Sequence, residues 1–222
     1  MDIIKIKSKE EYIDTQIDRS RSKFSYCKVS VSDVMSFYRI LQPTLNDKGP
    51  ILCLGTRNGR EIDLFRNIFF GNKFLNKIIS ILERKHNGYR SRWSIFESFF
   101  RSNLNKIGKH DVFGVEINPD ASRKDTWIGS FDEMPDEWSG KFSILFSNSF
   151  DQSRDPYKTT DEWKRVLQEG GLIILGFTEE AEPTESDPIG NLTYTDIIKL
   201  FGGELIYFNK YGLHYSYVIL QV

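Results

Sequence analysis

The apolar positions first recur at helical spacing. Tyr12, Ile13, Ile17 and Phe24 predict a helix within residues 9–28. VSDVMSFYRILQ, residues 31–42, predicts a second, with Ser32 or Asp33 as its cap and Pro43 as its stop. Asn46-Asp47-Lys48-Gly49-Pro50 is a turn. Beyond it the pattern changes to short, continuous apolar runs at residues 51–54, 111–116, 126–128, 142–146 and 172–177. Runs without alternation are what strands buried on both faces require. Helical patterns lie between them: one opening at Gly59, one at 157–168 closed by Gly170-Gly171, and one at 193–201. Residues 204–209 and 214–221 flank Lys210-Tyr211-Gly212-Leu213 as a closing hairpin.

Strands alternating with helices imply a Rossmann-like, doubly wound, mostly parallel sheet. The five runs and the hairpin make seven strands, with one antiparallel strand at the end. No repeat or linker divides the chain, so residues 1–222 are expected to form one domain, with a helical N-terminal cap over 1–45. The length of 222 residues allows a substantial core without disulfides or a structural metal. Two cysteines, Cys27 and Cys53, exclude a disulfide framework, and three scattered histidines (His86, His110, His214) build no zinc site. The opening MDIIKIKSKEEY has no apolar signal core, and no apolar run reaches membrane-spanning length. A reducing, cytoplasmic setting is the expectation.

In a sheet of this kind ligands sit at the carboxyl ends of the strands. Gly55-Thr56-Arg57-Asn58-Gly59 follows the first run, and its glycines permit a tight turn and close approach to backbone. Glu116 ends the second run, where a carboxylate can accept both hydroxyls of a ribose. Gly129-Ser130-Phe131-Asp132 follows the third, and Ser147-Asn148-Ser149 closes the fourth. Taken in this order, these segments resemble the class I S-adenosylmethionine-dependent methyltransferases, in particular the small-molecule, type 11-like branch. Residues 51–59 stand where that family has an acid followed by Gly-x-Gly-x-Gly. Residues 128–135 are similar to its adenine-side segment. Residues 142–149 together with Trp163-Lys164-Arg165-Val166-Leu167-Gln168-Glu169-Gly170-Gly171-Leu172 are similar to its most recognisable stretch.

The resemblance implies S-adenosyl-L-methionine as cofactor. It assigns binding to Gly55, Thr56, Arg57, Asn58, Gly59, Glu116, Ser130, Phe131, Asp132, Ser147, Asn148 and Ser149. The sequence departs from the pattern at three places: Cys53 replaces the first acid, Arg57 the middle glycine and Ser130 the usual Asp. Glu61 is the candidate to take over the cofactor's ammonium, against an ordinary role as a helix-start acid. Cys53, inside an apolar strand, reads as inert core. Methyl transfer needs a base only where the acceptor must lose a proton. Asp151 is the candidate, or else the cap of the following helix, with Asp155 behind it. Tyr12, Gln16, Arg19, Arg21 and Tyr26 are candidate contacts from the N-terminal cap. No metal is implied.

Formal net charge is −1, yet residues 66–110 carry ten lysines and arginines against two acids, interleaved with aromatics. From Gly59 to Glu116 the chain is far longer than the ~20 residues such landmarks need, so about 70–107 is a helical insertion. Three uses compete. It caps the site and meets an anionic acceptor, it forms an oligomer interface, or it binds nucleic acid or an anionic membrane. The leading expectation is therefore methyl transfer to an O or N of a small or medium-sized acceptor. An RNA methyltransferase and a degenerate, non-catalytic interaction module are the alternatives. A dinucleotide oxidoreductase is the weakest, because Gly-x-Gly-x-x-Gly is missing.

Overall fold

The computed structural model describes residues 1–5, 8–43, 49–71, 111–211 and 215–222. The proposed insertion, His86, His110, His214 and most of the turn at 46–50 lie outside the described residues. Five α-helices are seen among them: α1 (Lys9–Ser22), α2 (Val31–Leu41), α3 (Arg60–Phe65), α4 (Pro156–Val166) and α5 (Tyr194–Phe201). The strands are β1 (Asp2–Ile3), β2 (Ile51–Leu54), β3 (Val112–Glu116), β4 (Thr126–Ile128), β5 (Phe142–Ser147), β6 (Leu167–Thr178), β7 (Ile189–Gly190), β8 (Glu204–Tyr211) and β9 (Tyr215–Gln221).

Seven strands make the main sheet, in the order β4-β3-β2-β5-β6-β9-β8. Strands β2 to β6 pair in parallel. β9 runs antiparallel to both β6 and β8. The antiparallel strand is thus last in the chain but second from the edge of the sheet. β1 and β7 form a separate antiparallel pair that ties the N-terminus to the segment before α5.

The apolar runs bury both faces. Leu52, Leu54, Phe113, Val115, Leu145, Ile173 and Leu175 pack into one core beneath α4 and α5. Ile51, Cys53, Val112, Ile144, Phe146, Leu172 and Ile174 pack into the other beneath α2 and α3. Alternate residues of each strand point to opposite faces, so a continuous apolar run is needed to fill both layers.

Two local expectations are corrected. Ser30, not Ser32 or Asp33, caps α2, and Asp33 closes a capping box on the Ser30 backbone N–H at 2.8 Å. Gly170-Gly171 does not cap α4. The helix ends at Val166, and β6 pairs Leu167 with Phe142, then Leu172 with Ile144. The residues between bulge out of the ladder, and Gly170, at φ +69°, makes that bulge possible.

Candidate active site

The sheet order reverses between β2 and β5, and the carboxyl ends of β2, β3, β4 and β5 converge there. The turn after β2 takes left-handed φ at three alternate positions: Gly55 (+72°), Arg57 (+48°) and Gly59 (+76°). Arg57 therefore has a backbone natural to glycine, a conformation that disfavours an L side chain. A Cβ on Gly55 would fall 2.7 Å from the Ser149 Oγ, and one on Gly59 2.5 Å from the Arg123 guanidinium. Ser147 supports the same turn, donating its hydroxyl to the Leu54 carbonyl at 3.3 Å and accepting from the Ser149 N–H at 3.1 Å. Arg123 locks the far end, donating to the Asn58 carbonyl at 3.1 Å while paired with Asp63 and the fully buried Asp125.

Glu116 stands at the end of β3, 3% exposed. Its Oε2 accepts the Arg57 backbone N–H at 2.6 Å, and its Oε1 accepts the Asn118 N–H at 3.1 Å and the Ser20 hydroxyl at 2.9 Å. A carboxylate accepts several hydrogen bonds at once, so these donors compensate its burial. Ser20 comes from α1, which lies across the strand ends. The same helix sends the Tyr12 hydroxyl to the Gln152 carbonyl at 2.8 Å and the Gln16 amide to the Ser186 carbonyl at 2.8 Å. Its Arg19 forms an ion pair with Asp187 at 2.5 Å and a short bond to Ser186. Arg21 bonds Asp120 on the exposed rim at 2.8 Å.

Beneath α1 lies a cavity of about 30 Å³, walled by Tyr12, Gln16, Ser20, Gly55, Glu116 and Phe131 among others. That is room for a single water. Of the residues expected from the sequence, Tyr12, Gln16, Arg19, Gly55, Arg57, Glu116, Ser130 and Phe131 reach this wall. Thr56, Asn58, Gly59, Ser147 and Ser149 shape the turn behind it. Asp132 turns away, holding the hydroxyls of Thr159 and Ser130. Phe131 packs edge-on against Trp163, centroids 5.6 Å apart, while presenting its remaining surface to the cavity.

Glu61 is not a solvated helix-start acid. It is 4% exposed, and its Oε2 has no hydrogen-bond partner among the described residues. Burial pushes its carboxyl up to about 7, partly opposed by its own backbone N–H, by Arg57 and by the Cys27 thiol. Cys53 is fully buried in β2, and burial raises its thiol well above the usual range, as expected of inert core.

A second cavity, of about 350 Å³, adjoins the first through Arg19, Arg57 and Gln152. The α1–α2 connector supplies Lys23, Ser25, Tyr26 and Lys28, and the segment after β5 supplies Asn148 and Asp151. The Arg57 guanidinium lies over the Tyr26 ring, 5.4 Å from its centroid. Asp151 does not cap a helix; Asp155 does, accepting from the backbone N–H groups of Tyr157 and Lys158. The Asp151 Oδ1 is buried and without a hydrogen-bond partner among the described residues. Burial, then the charge of Asp187, pushes its carboxyl up to about 6, against the pull of Arg19 and Lys28.

Ser20, Lys23, Lys28, Gln152 and Asp187 were missed by sequence reasoning. Ser20 falls one helical turn after Gln16, so the face of α1 carrying Gln16 already pointed to it. Nothing in the sequence marks the other four. Among the described residues no group of His, Cys, Asp and Glu is placed to hold a metal, and no helix is long and apolar enough to cross a membrane.

No protein-family model matches the chain, and no curated protein does. Solved structures do. The chain superposes on a Burkholderia thailandensis 1,6-didemethyltoxoflavin-N1-methyltransferase, solved with 1,6-didemethyltoxoflavin and S-adenosylhomocysteine, with TM-score 0.58 and 12% identity, over 98% of this chain and 92% of that one. A SAM-dependent methyltransferase from Aquifex aeolicus matches with TM-score 0.51 and 12% identity, over 87% and 98% of the two chains. The fold is that of the S-adenosylmethionine-dependent methyltransferases. The [4+2]-cyclase SpnF also has this methyltransferase fold, at TM-score 0.52 and 10% identity over 99% of this chain and 98% of its own. The methyltransferase fold therefore does not fix the reaction, which has to be argued from the site.

Proposed function

We propose that the protein is an S-adenosylmethionine-dependent methyltransferase acting on an O or N of a small or medium-sized anionic acceptor. The observation that carries this reading is the placement of Glu116. A buried carboxylate ends the strand next to a turn with three left-handed residues, at the reversal of the sheet order. The residues present fit the cofactor in kind. Glu116 would hold the ribose hydroxyls, Phe131 and Ile117 would wall the adenine, and the orphan Oε2 of Glu61 is a carboxylate oxygen seeking a donor. The 30 Å³ cavity does not fit it in volume. On this reading α1 shifts outward and Ser20 releases Glu116 when the cofactor binds.

When bound, the cofactor supplies a methyl group on a sulfonium sulfur, a strong leaving group. The protein's contribution is orientation and exclusion of water, which α1 would provide by closing again over the bound cofactor. Asp151 receives the acceptor's proton where there is one to lose. At neutral pH a carboxyl near 6 is mostly ionised and still a useful base.

Thermal unfolding with S-adenosylmethionine, S-adenosylhomocysteine and, as a control, NAD tests the reading. At a hundredfold excess over Kd, binding adds about 2.7 kcal/mol. At about 2–4 °C per kcal/mol for this size, the melt should rise by about 5–11 °C with both sulfur ligands and not with NAD. A flat response at millimolar ligand would make the chain a non-catalytic relative of the fold.

A further inference from the structure

The second cavity is charged in a way that the methyltransferase fold does not require. Arg19, Lys23, Lys28 and Arg57 all line it, against one wall carboxylate, Asp151, and Asp187 paired behind Arg19. These cations come from three separate places: α1, the connector after it, and the turn after β2. Like charges converging on one concave surface repel one another and cost desolvation, so such a cluster calls for an anion. The lysines register that cost. Burial holds Lys28 down to about 8 and lowers Lys23, with Arg19 and Arg57 adding to the effect. Lys28 donates to the Thr178 hydroxyl at 3.1 Å, which fixes its ammonium at the cavity wall. The same cavity presents Asp151, whose Oδ1 is buried and lacks a donor among the described residues.

We infer that this cavity binds a small organic oxyanion, its carboxylate or phosphate held by Arg19, Lys23, Lys28 and Arg57, and that an O–H or N–H of the same molecule donates to Asp151. Its identification as the acceptor site rests on the methyltransferase reading; binding itself does not. The volume of about 350 Å³ suits a compact ligand. Contact with the first cavity through Arg19, Arg57 and Gln152 places the donor group of that ligand beside the strand ends.

The test is calorimetric titration of the full chain, without cofactor, using 4-hydroxybenzoate, its neutral methyl ester, benzoate and inorganic phosphate. The expected result is binding of 4-hydroxybenzoate that weakens at high salt. The methyl ester should bind at least tenfold more weakly, and benzoate several-fold more weakly. Lys23→Gln, at an exposed position, should weaken the acid at least threefold, and Lys28→Gln at least tenfold. Should Lys28→Gln fail to fold, Arg57→Gln takes its place with the same expectation. Phosphate binding that matches or exceeds that of the acid assigns the site to phosphate-bearing ligands, and weaker phosphate binding assigns it to carboxylates. Ester binding as tight as the acid, no binding of either anion at 10 mM, or indifference to Lys23→Gln and Lys28→Gln together would overturn the inference. Oxyanion binding in a protein whose melt ignores S-adenosylmethionine would keep the site and remove methyl transfer.

Discussion

The Ser20 hydroxyl donates to the Glu116 Oε1 across 2.9 Å, fastening α1 to the carboxylate proposed to hold the cofactor ribose. On that proposal the helix and the cofactor compete for the same oxygen. Ser20→Ala should remove the competitor at a cost below the about 1.5–3 kcal/mol of a hydrogen bond to a charged group, because Asn118 and Arg57 still satisfy Glu116. The expected outcome is a melt lowered by a few degrees and S-adenosylhomocysteine bound about tenfold more tightly, read by calorimetry. Glu116→Gln should do the reverse to binding and weaken it by about 10–100-fold. Equal affinities in wild type and Ser20→Ala would show that α1 does not gate the site.

Arg57 offers a separate test, because it combines a strained backbone with a useful side chain. Its φ of +48° is natural for glycine and costs a non-glycine residue about 1 kcal/mol. Arg57→Gly should therefore raise the melt of the ligand-free protein by about 2–4 °C. The same change removes a cation from the oxyanion cavity and should weaken 4-hydroxybenzoate. A strained residue that trades stability for a contact produces both shifts. A melt that falls would mean that stacking on Tyr26 outweighs the strain.

The sheet was legible because burial on both faces leaves a simple mark, a run of apolar residues that ends at a turn. Ile51–Leu54 and Val112–Glu116 came out within a residue of their observed ends. Glu116 was legible for a related reason: an acid at the end of such a run needs an explanation. The oxyanion cavity was not legible. Lys23 and Lys28 sit in an irregular connector, and only the three-dimensional path from α1 to α2 brings them into one cavity with Asp151, more than a hundred residues on. The burial of Glu61 was not legible for the same reason. Acids early in a helix are usually solvated, and nothing local announces that Cys27 and the core close over this one. The Gly170-Gly171 pair misled because helix ends and β-bulges draw on the same left-handed glycine.

Glu61 gives a pH signature. Its carboxyl stands at about 7 in the native protein against 4.5 ordinarily, which corresponds to about 3 kcal/mol between its protonation states. The unfolded chain releases this proton near 4.5, and the native protein holds it to about 7. Between those values the native state binds more protons, so stability falls as pH rises from about 4.5 to 7 and stays lower above 7. Glu61→Gln keeps the neutral shape. Its melt should match wild type at pH 4.5 and exceed it by several degrees at pH 8. If Glu61 also meets the cofactor's ammonium, the stabilised variant will lose its response to S-adenosylmethionine while keeping its fold. A variant less stable than wild type at pH 8 would place a cation beside the Glu61 carboxylate.

Asp151 and Lys28 together predict the pH profile of the reaction. Asp187, Arg19 and Lys28 are the main charged groups acting on Asp151, with Lys23 beside them, and Asp151, Asp187, Arg57 and Arg19 the main ones acting on Lys28. Asp151 must be ionised to take a proton, so kcat/KM should rise through about pH 6. Lys28 must be charged to hold an oxyanion, so the profile should fall again above about pH 8. The two limbs separate by substitution. Asp151→Asn should remove the acid limb and lower kcat by about 10²–10⁴, with oxyanion affinity largely kept. Lys28→Gln should remove the alkaline limb and act mainly on KM. Because the two groups interact, each apparent value belongs partly to the pair, and the remaining limb should shift somewhat in each variant. An acid limb that survives in Asp151→Asn would move the base elsewhere and leave Asp151 a binding group only.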